Sequence, residues 1–268
     1  MQNKLVLVVL DGLCYEVAKS NMGFLNHLVE KNIGTLNKVK AELPSMSRPL
    51  YETILTGVYP YKSGITNNKV ARLSNHESIF HLVKESGGIS CASGYHWISE
   101  LYNKAPFDYM YDCYQVNTDK PIQYGRFYFD DVYPDSHTFI DGEILREKYS
   151  PNFLYIHPMG IDDIGHKFGK NSKEYRNKVI ESDVILSNFI PIWLQNGYEV
   201  IVTSDHGMND DGNHCGISDD ERIVPMFYFG NGKICIPSKI EIEQTQIAPL
   251  VCKILSIEKS EDMENCKY

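Results

Sequence analysis

Residues 5–10 (LVLVVL) are apolar at every position and break without transition into Asp11-Gly12. A strand with no polar side is buried on both faces, so it belongs inside a sheet that carries helices above and below. Strand-like runs recur at 89–93, 153–156, 198–203 and 226–229, and helix-like stretches lie at 17–30, 78–85, 175–194 and 245–255. This alternation predicts an α/β fold, a mostly parallel central sheet with helices on both faces. A chain of 268 residues fits one domain. Residues 95–133 carry twelve aromatic residues. They predict a small cap, inserted at about 95–150, whose rings either pack on one another or form a wall against which a flat group stacks.

The net charge of −9 argues against a nucleic-acid polymer as partner, since such binding needs a basic stripe. A small anionic substrate remains compatible if metal ions reverse the local charge. The first apolar run is too short for a signal peptide, and no stretch reaches membrane-spanning length, so the expectation is a cytoplasmic chain without a membrane partner. The cysteines, at 14, 91, 113, 215, 235, 252 and 266, form no CxxC pair and suggest neither a disulfide framework nor a thiolate zinc site. Cys215, beside His214, is either an unusual ligand or a bystander.

The chemistry collects where strand-like runs end, the usual place for active sites in open α/β sheets. Asp11 follows the first run, and is either a turn residue or a metal ligand. The segment FLYIHPMGIDDIGHKFG carries Asp162 and His166, four apart and therefore on one face of a helical turn. The run EVIVTSDHGMNDDGNHCG carries Asp205, His206 and His214. Carboxylate and imidazole are the common ligands of zinc and related metals. These six ligand candidates divide into two three-ligand sites, each open to a substrate oxygen, the arrangement used for phosphoryl displacement. Ser45 and Ser47 precede a helix expected to begin near Pro49. There a serine is a cap or a nucleophile, and backbone N–H groups favour a phosphate.

In their order and local motifs these segments resemble the alkaline phosphatase superfamily, most closely its nucleotide pyrophosphatase/phosphodiesterase branch. The resemblance runs from Leu5 to about Leu255. PSMSRPLYETILTGVYPYKSGITNN is similar to that branch's nucleophile segment, with its TG-x-YP-x-x-x-G-I run at Thr56, Gly57, Tyr59, Pro60, Gly64 and Ile65. D-x-x-G-H is matched by Asp162, Gly165 and His166, and S-D-H-G-M by Ser204 to Met208. The resemblance implies Ser47 as nucleophile and Asn68 as a contact to phosphate. It also implies two divalent metals, zinc with manganese as the alternative: one on Asp162, His166 and His214, the other on Asp11, Asp205, His206 and Ser47. Arg48 departs from the pattern, because the branch often carries an aromatic there. A guanidinium in that place is either a solvated side chain or a bidentate hold on a non-bridging phosphate oxygen.

The expected activity is hydrolysis of phosphodiester or phosphoanhydride bonds of a small-molecule ester, nucleotide-like by its aromatic wall, through a phosphoseryl intermediate. The alternatives are a phosphomonoesterase or phosphonate hydrolase, then a metal-dependent phosphomutase or a non-catalytic binding protein. The sulfatase segment C/S-x-P-x-R is not matched at Ser45 or Ser47.

Overall fold

β1 (Lys4–Val9) sends Leu5, Leu7 and Val9 into one hydrophobic core and Val6 and Val8 into a second, because successive side chains of a strand leave on opposite faces. The structure, a computed structural model, describes residues 2–230 and 236–268. After β1 the chain forms α1 (Tyr15–Asn21), α2 (Gly23–Glu30), β2 (Gly34–Lys40), α3 (Ser47–Thr56), α4 (Pro60–Ser63), α5 (Ile79–Glu85), β3 (Ser90–Tyr95) and α6 (Trp97–Tyr102). Next come β4 (Tyr114–Val116), β5 (Tyr124–Tyr128), α7 (Asp135–Tyr149), β6 (Phe153–His157), α8 (Gly160–Phe168), α9 (Lys173–Gln195) and β7 (Tyr198–Thr203). The chain closes with α10 (Asp219–Arg222), β8 (Ile223–Phe229), β9 (Glu241–Glu243) and α11 (Ile247–Leu255).

The strands form one nine-stranded sheet in the order β4-β5-β3-β6-β1-β7-β8-β2-β9. Its centre, from β5 through β3, β6 and β1 to β7, is parallel throughout, and β4 and β8 run antiparallel to their neighbours. α7 and α9 pack on one face, with α1, α2 and α8 against α9, while α3, α5, α6 and α11 cover the other. The mostly parallel α/β sheet between two helical layers is therefore the observed fold.

Three differences have physical reasons. The helical stretch expected at 17–30 is broken at Met22, whose ψ of 77° interrupts it before Gly23 opens α2. β2, β4 and β5 are not predicted because their polar or partly exposed positions dilute the apolar signal. Within 95–150, the expected cap, β4 and β5 instead extend the main sheet, and α7 packs on β3 and β6. Of the cysteines, Cys235 lies outside the described residues and the other six are free thiols.

The buried face of α3 holds a carboxylate. Glu52 has no exposed surface and accepts from the hydroxyls of Tyr102, at 2.8 Å, and Ser74. Burial raises its pKa above the usual carboxylate range, although both hydroxyls pull it down. A folded pKa above the unfolded one means that this group's stabilisation is fully present at acid pH and is lost as pH rises through the folded value. Glu52→Gln is therefore expected to lose less urea resistance than the parent protein between pH 5 and pH 8. Equal losses in the two proteins would contradict this.

Candidate active site

β6, β1 and β7 lie side by side, about 4.8 Å apart, with their carboxyl ends together. Beyond these ends stand Asp11 after β1, His157 closing β6 with Asp162 in α8, and Asp205-His206 after β7. Gly12 lets the loops converge. Its φ is +75°, and a Cβ there would lie 2.9 Å from the Asp162 Cα. Its N–H donates to Asp205 Oδ1 at 3.2 Å.

Asp11 and Asp205 are wholly buried and Asp162 is 5% exposed. One oxygen of each (Asp11 Oδ1, Asp162 Oδ1 and Asp205 Oδ2) is buried without a hydrogen-bond donor. Burial raises the pKa of Asp205 well above the usual range, with the charges of Asp11 and Asp162 adding to it. Burial and Asp11 likewise raise Asp162. Burial also opposes ionisation of Asp11, but the His157 hydrogen bond and the His206 and His157 charges outweigh it and bring its pKa to about 2. Three converging carboxylates with unused oxygens are a site deficient in positive charge, and divalent cations supply it.

The imidazoles complete the donor set. His206 Nδ1 faces the Gly207 carbonyl at 2.9 Å, His214 Nδ1 that of Ser45 at 2.8 Å, and His166 Nδ1 that of Gly212 at 2.7 Å. A carbonyl accepts only from N–H, so each ring carries its proton on Nδ1 and offers Nε2, the usual way a protein orients metal-binding histidines. Burial lowers the pKa of His206, and burial with the His206 charge brings His214 to about 4, leaving both unprotonated at neutral pH as ligation requires. His166 Nε2 lies 3.3 Å from Asp162 Oδ2, and this hydrogen bond raises its pKa to about 9.

Two buried groups, Asp11-Asp205-His206 and Asp162-His206-His214, each bring their ligand atoms within 4.8 Å of one another. Five of the six ligand candidates thus converge. His206 belongs to both groups, stacked on His214 at 3.7 Å, while His166 stands beside Asp162 with its side chain 45% exposed. The orphaned oxygens and presented Nε2 atoms fit a site for divalent metal ions.

α3 begins at Ser47, whose Oγ is 3.2 Å from His206 Nε2. Ser45 serves elsewhere: its hydroxyl donates to the Glu221 carbonyl and its own carbonyl holds His214. Asn68 Oδ1 accepts the Arg48 N–H at 3.0 Å, which leaves the Asn68 amide N–H₂ available beside Ser47. The Arg48 guanidinium is neither solvated nor free. It is 2% exposed, pairs with Glu100 at 2.7 Å, donates to the Val70 carbonyl and lies 4.6 Å over the Trp97 ring. The expectation of a solvated Arg48 does not hold, because the side chain is buried and paired inside the protein.

Sequence reasoning assigns no role to Tyr51 or Gln244. The Tyr51 hydroxyl donates to Asp11 Oδ2, which His157 Nε2 also meets at 3.1 Å, so both fix the carboxylate with Oδ1 turned to His206. Gln244 Nε2 donates to the Asp205 carbonyl at 2.6 Å. The apolar-strand signal before His157 was readable, but nothing local marks Tyr51 or Gln244.

The comparisons bear on the fold and the family. GPI ethanolamine phosphate transferase 2 of Debaryomyces hansenii is 26% identical over 228 residues, 81% of this chain and 25% of its own length. Human GPI ethanolamine phosphate transferase 1 is 24% identical over 266 residues, 90% of this chain and 28% of its own. The chain thus spans about a quarter of the length of these curated relatives. Human ectonucleotide pyrophosphatase/phosphodiesterase 5 has the same fold, with a TM-score of 0.75 at 14% identity over 96% of both chains. The family model described as type I phosphodiesterase/nucleotide pyrophosphatase matches residues 5–220, and the chain belongs to that family.

Proposed function

We propose that this chain hydrolyses phosphodiester or phosphoanhydride bonds of a small-molecule ester through a covalent intermediate on Ser47. The observation that carries the reading is the placement of the Ser47 hydroxyl, at the start of α3, against His206 Nε2 and the converged carboxylates. Asp162, His166 and His214 would hold one divalent metal, and Asp11, Asp205, His206 and Ser47 the other. When bound, such ions supply positive charge that keeps a serine hydroxyl ionised at neutral pH and offsets charge on a departing oxygen. Ser47 Oγ, its proton released to solvent, attacks phosphorus. The Oγ–P bond forms, the bond to the leaving group breaks, and the leaving oxygen takes a proton from water. Water then attacks the same phosphorus, the new O–P bond replaces Oγ–P, and Ser47 regains a proton. The Asn68 N–H₂ and the first N–H groups of α3 hold non-bridging oxygens as charge develops on them.

The state of Arg48 favours a diester over a monoester. A monoester brings a second negative charge, and the guanidinium of Arg48, next to Ser47 in sequence, is already paired with Glu100. Mixing enzyme with excess diester, quenching in acid and mapping peptides is expected to place the phosphoryl group on Ser47. Label on Ser45, or no label during turnover, would contradict the reading.

A second reading follows from the sequence relatives, named as ethanolamine phosphate transferases. The first half-reaction is shared, and an acceptor hydroxyl replaces water in the second. Product partitioning in added alcohol separates the two.

The orientation of Asp11 yields a further prediction. Tyr51→Phe removes one of the two donors on Asp11 Oδ2 and is expected to weaken metal binding about 10- to 100-fold, the usual cost of losing a ligand's own partner. Chelator competition measures it, and unchanged affinity would show that Tyr51 does not orient the carboxylate.

A further inference from the structure

Arg48 is the residue directly after Ser47, so its side chain is long enough to reach a phosphorus held by Ser47 Oγ. Its charge is met by a buried carboxylate, while its Nε is buried without a partner. Glu100, 6% exposed, takes Nη2 at 2.7 Å through Oε2, while its other oxygen accepts the Phe107 N–H at 3.0 Å. Trp97 covers the guanidinium face, and the Val70 carbonyl accepts from Nη1 at 3.3 Å. α6 and the loop after it thus provide both the counter-charge and the aromatic ring that engage this cation.

We infer that Glu100 is a specificity-determining residue: by pairing with the Arg48 guanidinium, it denies the site a cation that would neutralise the second charge of a phosphate monoester. This rests on the proposed diester reading and adds to it a cause. The ligand carboxylates and imidazoles would serve both substrate types alike, since each ester brings a non-bridging oxygen and a leaving oxygen. The two substrates differ by one unit of charge on the non-bridging oxygens, which is the group a freed guanidinium binds bidentately. Glu100 never touches substrate in this account and acts through Arg48.

The test compares kcat/KM for bis-p-nitrophenyl phosphate and p-nitrophenyl phosphate in metal-loaded protein. Glu100→Gln keeps the shape and one hydrogen bond but removes the counter-charge. It is expected to raise the monoester-to-diester ratio by about tenfold or more over the parent, the scale of one new charged hydrogen bond. Adding Arg48→Met to Glu100→Gln is expected to return the ratio to within about twofold of the parent. A Glu100→Gln ratio equal to the parent's would overturn the inference while leaving the diester reading intact. If Glu100→Gln does not fold, the double variant decides alone, since replacing both members of a buried pair by neutral groups is usually tolerated. A selective loss of monoester activity in it would mean that Arg48 already reaches the phosphate, and would overturn the inference. A parent protein that prefers the monoester, or cleaves neither ester, overturns both.

Discussion

Ser47→Ala is expected to lower kcat/KM for a diester by about a thousandfold or more while leaving bound metal nearly unchanged. Removing the nucleophile of a covalent mechanism leaves only binding and electrostatic catalysis by the remaining groups, which is why the loss is so large. Metal content should survive because Asp11, Asp205 and His206 form a buried three-residue group without Ser47. The two readouts together are diagnostic. Loss of activity with loss of metal would make Ser47 a structural ligand. Full activity would move the attack to a water, since Ser45 is engaged with the Glu221 carbonyl.

His214→Ala is expected to lower bound metal from about two ions per chain to about one, with activity falling alongside. His214 is 5% exposed, its Nε2 is presented by the Ser45 carbonyl, and it stands with Asp162 in one of the two groups. Loss of a direct ligand weakens a site more than the roughly 10- to 100-fold cost of losing an outer partner. Elemental analysis with unchanged metal would remove His214 from the site. His206→Ala sharpens the comparison because His206 belongs to both groups. If the two sites are held as proposed, it costs one ion. If His206 truly serves both, it costs two.

The strands that carry this site were legible because they are the most deeply buried. β1, β6 and β7 have no face to spare for polar residues, so their apolar runs stand out and the residues that end them draw attention. Asp162 and His166 could be paired from helical spacing alone. What remained hidden depends on contacts between distant segments. Tyr51 looks like any aromatic on a core-facing helix until the Asp11 carboxylate is brought against its hydroxyl. Arg48 and Glu100 are 52 positions apart, and no local pattern announces a buried pair at that separation. The edge strand β4 and its neighbour β5 were hidden for another reason: they are short and carry partly exposed positions, so a cap and a sheet edge read alike.

The polar residues that hold the site in place are also the ones a family pattern does not need to name. His157 and Tyr51 fix one oxygen of Asp11, Gln244 holds the Asp205 backbone, and Ser204 takes the Leu13 N–H while donating to the His206 carbonyl. Among the ligand candidates, one carboxylate oxygen each of Asp11, Asp162 and Asp205 is left without a donor. That is the arrangement expected of a site whose charge is completed by bound cations.

The most direct test of the central claim is kcat/KM of the zinc-loaded protein for bis-p-nitrophenyl phosphate and p-nitrophenyl phosphate, measured side by side. The account predicts a preference for the diester of about a hundredfold or more, roughly 2.7 kcal/mol in the transition state. A preference for the monoester would contradict it, because a cation other than the paired Arg48 would then be receiving the extra charge.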